Sequence, residues 1–201
     1  MKDLSILVAD KTMEFMLRGG LERPQALGIH PITVDFRQHP NRDGGSRTTG
    51  ARILALDHGR FRHALLVLDH EGSGATESAV ELERQLDDEL ARTWGDRAKA
   101  IVIDPELDVW AWGADNRLAE VLAWPRPDGI RDWLEGKGFL INPEGKPQRP
   151  KEVLEAVFAE CRLPRSAANY RKIAQRISLV RCQDGAFHRL QQALHRWFPA
   201  P

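Results

Sequence analysis

The sequence predicts an α/β protein with a mostly parallel four-stranded sheet, helices on both faces and a C-terminal helical extension. Two observations support this prediction: apolar runs of strand length alternate with amphipathic segments in the first half, and the second half reads as helices and loops. Continuous apolar strands are typical of parallel sheets that are buried on both faces. We therefore predict an α/β core over residues 1–115 and a helical extension packed on it over residues 116–201.

The first half of the chain gives the clearest periodicity. Apolar runs predict strands over residues 4–9, 31–36, 63–69 and 98–104. Apolar residues at helical spacing predict helices over residues 12–22, 48–58 and 76–93. In the last of these helices Val80, Leu82, Leu86 and Leu90 form the predicted apolar face. The segment 37–47 is rich in Gly, Asn and Asp, and we predict a loop there.

The second half changes in character. It is interrupted by proline-containing segments and predicts helices over residues 128–136, 150–161, 166–176 and 185–197. Four of its tryptophans are predicted to lie in the core; they are Trp110, Trp112, Trp124 and Trp133. Because no flexible linker separates the halves, we expect the extension to pack against the sheet.

Composition excludes several classes of protein. The 29 basic and 29 acidic side chains cancel, which argues against a general nucleic-acid coat protein but leaves room for a local basic patch. No apolar run approaches the roughly 18 residues of a membrane span, and the N-terminal apolar run is too short for a signal peptide. Cys161 and Cys182 are read as reduced thiols. We therefore predict a cytoplasmic protein that does not contact a membrane.

Charge is unevenly distributed along the chain. Residues 69–96 carry nine acidic side chains against two arginines, and residues 162–201 carry eight basic side chains against Asp184. The two segments are either complementary faces within one fold, or the basic one is a docking surface for a partner or nucleic acid.

Acidic residues follow three of the predicted strands. They are Asp10 and Glu14, Asp69 and Glu71, and Asp104, Glu106 and Asp108. Since parallel strands share one carboxyl edge, these side chains should converge, and converging carboxylates need either protons or a hard cation such as Mg²⁺. The alternative is that they only cap the helices that follow the strands.

At these residues the chain resembles a known family. The segments "ILVADKTMEFMLRGGLERP", "HPNRDGG", "ALLVLDHEG", "IDPELDVWAWG" and "ISLVRCQDGAFHRLQQAL" look like TOPRIM-like proteins that occur with bacterial anti-phage defence genes, including the methylation-associated defence system. The resemblance covers nearly the whole chain. It implies the Rossmann-like TOPRIM fold, Mg²⁺ or Mn²⁺ as cofactor, phosphodiester chemistry and other defence-system proteins as partners.

The resemblance also assigns residues. Asp69 and Glu71 match the family's acid-x-acid pair, with Glu in the place of the usual second Asp. The usual glutamate after the first strand would fall at Ala9, where this chain offers Asp10 or Glu14 instead. That departure bears on nuclease activity more than on the fold. Glu106 matches a recurrent element in which Glu precedes Trp, so the implied catalytic set is Asp10, Glu14, Asp69, Glu71 and Glu106, the first four as metal ligands.

Basic residues close to the predicted edge are candidates for binding phosphate. Arg42 and Arg47 lie in the segment 37–47, which follows a strand and could grip a phosphate or be only a polar loop. Lys11 lies at a helix start, where backbone N–H groups also favour anions.

Three functions are compatible with these patterns. The first is a Mg²⁺-dependent TOPRIM-like phosphoesterase, a nuclease of an anti-phage defence system. The second keeps the fold without catalysis, as an interaction or regulatory subunit of a defence complex. The third is a receiver-like signalling domain, with Asp69 as phosphoacceptor and Lys146 as its lysine. The sequence does not distinguish DNA, RNA or a nucleotide as the substrate.

Overall fold

Four parallel strands form the central sheet of this computed structural model, which describes residues 1–112, 117–142, 146–178 and 182–201. The strands are β1 (Lys2–Val8), β2 (Val34–Gln38), β3 (Phe61–Asp69) and β4 (Ala98–Ile103), in the order β2-β1-β3-β4. The mixed α/β fold and the parallel sheet are therefore confirmed. The predicted domain boundary at residue 115 lies outside the described residues, as do parts of two quoted segments, at Gly113 and at 179–181.

Helices occupy most of the chain between and after the strands. They are α1 (Lys11–Leu21), α2 (Pro24–Leu27), α3 (Arg42–Ala55), α4 (Ala79–Trp94), α5 (Arg117–Leu122), α6 (Ile130–Gly136), α7 (Pro150–Glu160), α8 (Ala167–Ala174) and α9 (Gly185–Trp197). Short 3₁₀ turns cover Glu71–Ser73 and Leu107–Ala111. The long helices of the second half, α7, α8 and α9, lie close to where the sequence places them.

The two faces of the sheet bury different helices. Ile6 and Leu65 face a core that includes Tyr170 of α8 and much of the helical extension. Leu7 and Leu66 face the other core, which α3 and α4 complete. Alternate residues of the same strands thus serve both cores, and this explains why the strands read as continuous apolar runs.

Helices of the second half share one apolar core with the sheet. The tryptophans Trp110, Trp112 and Trp133 are buried, and Trp124 is half-buried. Cys161 and Cys182 are both free thiols. In the described part of the chain, no helix has both the length and the apolar character needed to cross a membrane.

Helix α3 begins earlier than the sequence indicates. Residues 42–47 form its first turns, although we predicted a loop there. The glycines that suggested a loop are close-packing positions instead, because a Cβ on Gly45 would lie 2.2 Å from the ring of His39 and a Cβ on Gly50 would lie 2.7 Å from Leu66. These glycines are needed for close packing of α3, but in the sequence they resemble the composition of a loop.

The apolar face predicted for α4 is correct except at Val80. The side chains of Leu82, Leu86 and Leu90 are buried, but Val80 is 68% exposed. The helix begins after Ser78, whose side chain and that of Glu81 form a capping box. Val80 therefore lies in the first turn on the solvent side.

The outer edge of β4 is closed by side chains of α4. Asp87 accepts a hydrogen bond from the backbone N–H of Ala100 at 2.8 Å, and Glu83 accepts one from that of Val102 at 3.0 Å. Arg189 of α9 donates to Glu83 at 2.7 Å, so the basic C-terminal segment meets the acidic segment here within one fold. Edge amides that are bonded in this way are not free to pair with another strand.

Candidate functional site

The strand order places a crevice between the carboxyl ends of β1 and β3. The chain leaves β1 through α1 towards β2 on one side, and leaves β3 through α4 towards β4 on the other. Ligands of open α/β sheets bind at such a switch point, outside the carboxyl ends of the strands. Asp10 follows β1 and Asp69 ends β3, so these two carboxylates flank the crevice.

Among the acids of this region, Asp69 has the most strongly raised pKa. Its Oδ1 accepts a hydrogen bond from the backbone N–H of Leu107 at 2.9 Å. Burial raises the pKa of Asp69 well above its ordinary value, and the neighbouring carboxylate of Asp43 raises it further. Asp108 and Glu106 act in the same direction. Among the described residues no lysine, arginine or histidine forms an ion pair with Asp69.

Asp43 also belongs to the site, although its place in the sequence does not indicate this. Its Oδ1 accepts a hydrogen bond from the backbone N–H of Asp69 at 2.8 Å, and its Oδ2 would lie 2.6 Å from a Cβ on Gly72. Burial raises the pKa of Asp43, the bond from Asp69 lowers it, and the charge of Asp10 raises it. Asp43 therefore links the carboxylate after β1 with the one at the end of β3.

Asp10 has a structural role as well as a place in this cluster. It is the N-cap residue of α1, where its Oδ1 accepts a hydrogen bond from the backbone N–H of Met13 at 2.9 Å. Asp10 therefore caps α1, as the capping alternative expects, and the metal-ligand alternative stays a prediction for this residue. Its other oxygen is not used by the cap.

Both carboxylate oxygens of Glu14 accept hydrogen bonds from other side chains. Its Oε1 accepts a hydrogen bond from Nε of Arg18 at 2.7 Å, and its Oε2 accepts one from Nε2 of Gln38 at 2.7 Å. Both oxygens thus have protein partners, and Asp43 rather than Glu14 stands between Asp10 and Asp69.

Glu71 and Glu106 form the second half of the edge. Glu71 is exposed in the turn after β3. Glu106 accepts a hydrogen bond from the backbone N–H of Lys151 at 3.2 Å, and the Nζ of Lys151 lies 3.9 Å from its other oxygen. Burial raises the pKa of Glu106, Asp108 raises it further and Glu71 contributes. We call Asp10, Asp43, Asp69, Glu71 and Glu106 the acidic edge.

The other two acids after β4 lie outside this set. Asp104 is exposed, 3.9 Å from Nδ1 of His70. Asp108 is buried, accepts a hydrogen bond from the hydroxyl of Tyr170, and pairs with Nη2 of Arg165 at 3.2 Å. Burial and the charge of Asp108 raise the pKa of Tyr170. Asp108 therefore attaches the segment after β4 to α8.

The three residues predicted to bind phosphate lie in different places relative to the acidic edge. Lys11 is exposed, with its Nζ 5.8 Å from the ring centre of Phe15. Arg42 is exposed and lowers the pKa of Asp43, so it borders the acidic edge. Arg47 contributes, after backbone hydrogen bonds, to the lowered pKa of Glu77, so its charge lies near the start of α4.

The donor set suits a hard cation. The acidic edge supplies carboxylate oxygens, the ligands that Mg²⁺ prefers, and Mg²⁺ needs only one or two of them with water and substrate phosphate. In the described ranges no three His, Cys, Asp or Glu side chains are already arranged around a common metal position. Asp43 and Asp69, joined through a backbone hydrogen bond and lacking a basic partner among the described residues, fit such an ion best.

Comparison with known proteins gives no assignment. No family model matches the chain, no curated protein matches it, and no solved structure matches it. The resemblance to TOPRIM-like defence proteins therefore stays a prediction, and function is inferred from the chain's own residues.

Proposed function

We propose that the protein is a Mg²⁺-dependent TOPRIM-like phosphoesterase that hydrolyses phosphodiester bonds of nucleic acid. One observation supports this most: Asp69 is half-buried beside Asp43 at the switch point of the sheet, its pKa is raised, and no basic side chain pairs with it in the described ranges. Such a pair of carboxylates requires a proton or a cation. A cation at this position would also attract the phosphate of a substrate.

Different residues at the acidic edge have different proposed roles. Asp43 and Asp69 would hold Mg²⁺, which supplies charge stabilisation at phosphate and activation of water when bound. Arg42 and Lys11, which are exposed, would bind flanking phosphates. Glu106, whose pKa is raised by burial and by the neighbouring carboxylates, would transfer the proton.

The biological setting of the proposal comes from the motif resemblance. Proteins with similar segments occur with anti-phage defence genes, so we propose a nuclease component of a defence system that works with other defence proteins. The geometry of the acidic edge is equally compatible with DNA, RNA or a nucleotide.

Hydrolysis assays test this function. With Mg²⁺ or Mn²⁺ the protein is expected to cleave single-stranded or double-stranded nucleic acid, or bis(p-nitrophenyl) phosphate. Asp43→Asn is expected to lower the rate about 100-fold or more, because losing even an outer-shell partner of a metal ligand costs about 10–100-fold. The amide keeps an oxygen for the backbone N–H of Asp69. The matched control is Asp88→Asn, an exposed acid of α4. Equal, metal-independent rates in all three proteins would contradict the proposal.

A second function, an interaction subunit without catalysis, is favoured by one specific feature. The family's first-strand glutamate would fall at Ala9, and Glu14, which could replace it, is occupied by Arg18 and Gln38. Mg²⁺ binding without cleavage of any of these substrates, together with capture of a defence protein, would support this function instead.

The receiver-like alternative is less well supported. Its lysine would have to reach Asp69, but Nζ of Lys146 pairs with Asp184, the N-cap residue of α9, at 3.3 Å.

A further inference from the structure

The two edges of the sheet differ in what covers them. In the pairing of β2 with β1, Leu4 donates to the carbonyl of Thr33 and His39 donates to that of Val8. This register turns the N–H and C=O groups of the alternate residues Val34, Phe36 and Gln38 away from the sheet. Among the described residues none of these groups forms a hydrogen bond, whereas side chains of α4 close the corresponding edge of β4.

An uncovered edge strand is a surface for pairing with another strand. We propose that the β2 edge pairs in antiparallel fashion with the β2 edge of a second copy of this chain. The two-fold axis would pass beside Phe36, so that the four-stranded sheets of the two copies form one continuous sheet. The occupant of the edge is thus the same sequence, VDFRQ, in reverse direction.

The charges of the strand support pairing with itself. With Phe36 opposite Phe36 of the second copy, Asp35 lies opposite Arg37 and Arg37 opposite Asp35. Because the outward backbone groups belong to Val34, Phe36 and Gln38, the Asp35–Arg37 pairs fall at the positions without backbone hydrogen bonds. There the side chains of opposite residues approach most closely. A two-fold interface requires this self-complementarity.

Asp35 and Arg37 can both form this contact without a change in the fold of the chain. Asp35 is 40% exposed and pairs with the exposed Nζ of Lys2, an interaction of small value at a surface. Arg37 is 36% exposed and donates to Asp57 through Nη2. Its other guanidinium N–H groups have no acceptor among the described residues, so they can bind Asp35 of the second copy.

Sedimentation velocity and residue-resolved amide exchange test the dimer together. Over a dilution series the wild type is expected to pass from dimer to monomer, and the amides of Val34, Phe36 and Gln38 should lose protection as it does. Asp35→Arg is expected to raise the dissociation constant about tenfold or more, because like charges then face each other twice. The matched control, Asp88→Arg, makes the same charge change on α4 and should leave dissociation unchanged.

Exchange at the inner residues of β2 controls for folding. The amides of Asp35 and Arg37 face β1, so they should stay protected in the wild type and in both variants. A protein that is monomeric at every concentration would overturn the proposed dimer. This holds even if the β2 edge of the monomer binds an added extended peptide. A dimer in which the amides of Val34, Phe36 and Gln38 exchange freely would also overturn it.

Discussion

Asp69→Asn is expected to raise the melting temperature of the metal-free protein at neutral pH. Burial and Asp43 raise the pKa of Asp69 above its ordinary 3.8, so the folded state binds this proton more tightly than the unfolded state. The contribution of Asp69 to stability therefore falls as pH rises from its ordinary pKa through its raised pKa. Asn removes the half-buried charge, and its side-chain oxygen can still accept a hydrogen bond from the N–H of Leu107. Melting curves at acidic and neutral pH measure both effects.

The same substitution is expected to abolish the response to Mg²⁺. A cation that binds only the folded state must raise the melting temperature of the wild type. At a cation concentration of 100 times the dissociation constant, the free energy of unfolding rises by about 2.7 kcal/mol. Asp69→Asn should lose this increase together with any cleavage. Asp104→Asn changes an exposed acid after β4 and is the control that should keep both. If the wild type ignores Mg²⁺ and Asp69→Asn is less stable at neutral pH, Asp69 serves only as an acceptor for Leu107.

Asp57→Ala is expected to have the largest cost in stability. Asp57 is fully buried, accepts a hydrogen bond from Oγ of Ser5 at 2.7 Å, and pairs with Nη2 of Arg37 at 2.6 Å. Removing one member of a buried ion pair costs about 3–5 kcal/mol, and we expect about 3 kcal/mol because Arg37 is 36% exposed. Urea unfolding measures the loss.

Two further variants separate the parts of this network. Asp57→Asn keeps an acceptor for Ser5 and should cost less than the alanine change. Arg60→Ala removes a partner that is 65% exposed, so it should change stability by less than about 1 kcal/mol. An alanine change at Asp57 as mild as that at Arg60 would contradict the role given to the buried carboxylate.

The sheet and four of the five residues of the acidic edge are readable in the sequence. Strands that are buried on both faces show as apolar runs, and an acid directly after such a run, as at Asp69, must lie at the carboxyl edge. Asp43 is not readable in this way. Its neighbours Gly44 and Gly45 suggest a loop, whereas Gly45 is small because the ring of His39 packs against it. That contact exists only once α3 is folded against β2.

Glu14 differs in that the sequence predicts its position but not its hydrogen-bond partners. It lies one helical turn after Asp10, a spacing that places it near the same edge but leaves its partners open. The partners come from Arg18 on the same helix and from Gln38 on β2, a strand that is adjacent to β1 only in the folded sheet. Sequence spacing gives the residue a position, but the strand order decides which groups occupy its oxygens.

The direct test of the metal site is the anomalous difference density of crystals soaked in Mn²⁺. We expect a peak in the crevice between the carboxyl ends of β1 and β3, about 2.1 Å from an oxygen of Asp43 and from one of Asp69. Crystals of Asp69→Asn treated in the same way should lack that peak. A wild-type map with no peak at these two carboxylates, or with Mn²⁺ bound only elsewhere, would contradict a metal site at the acidic edge.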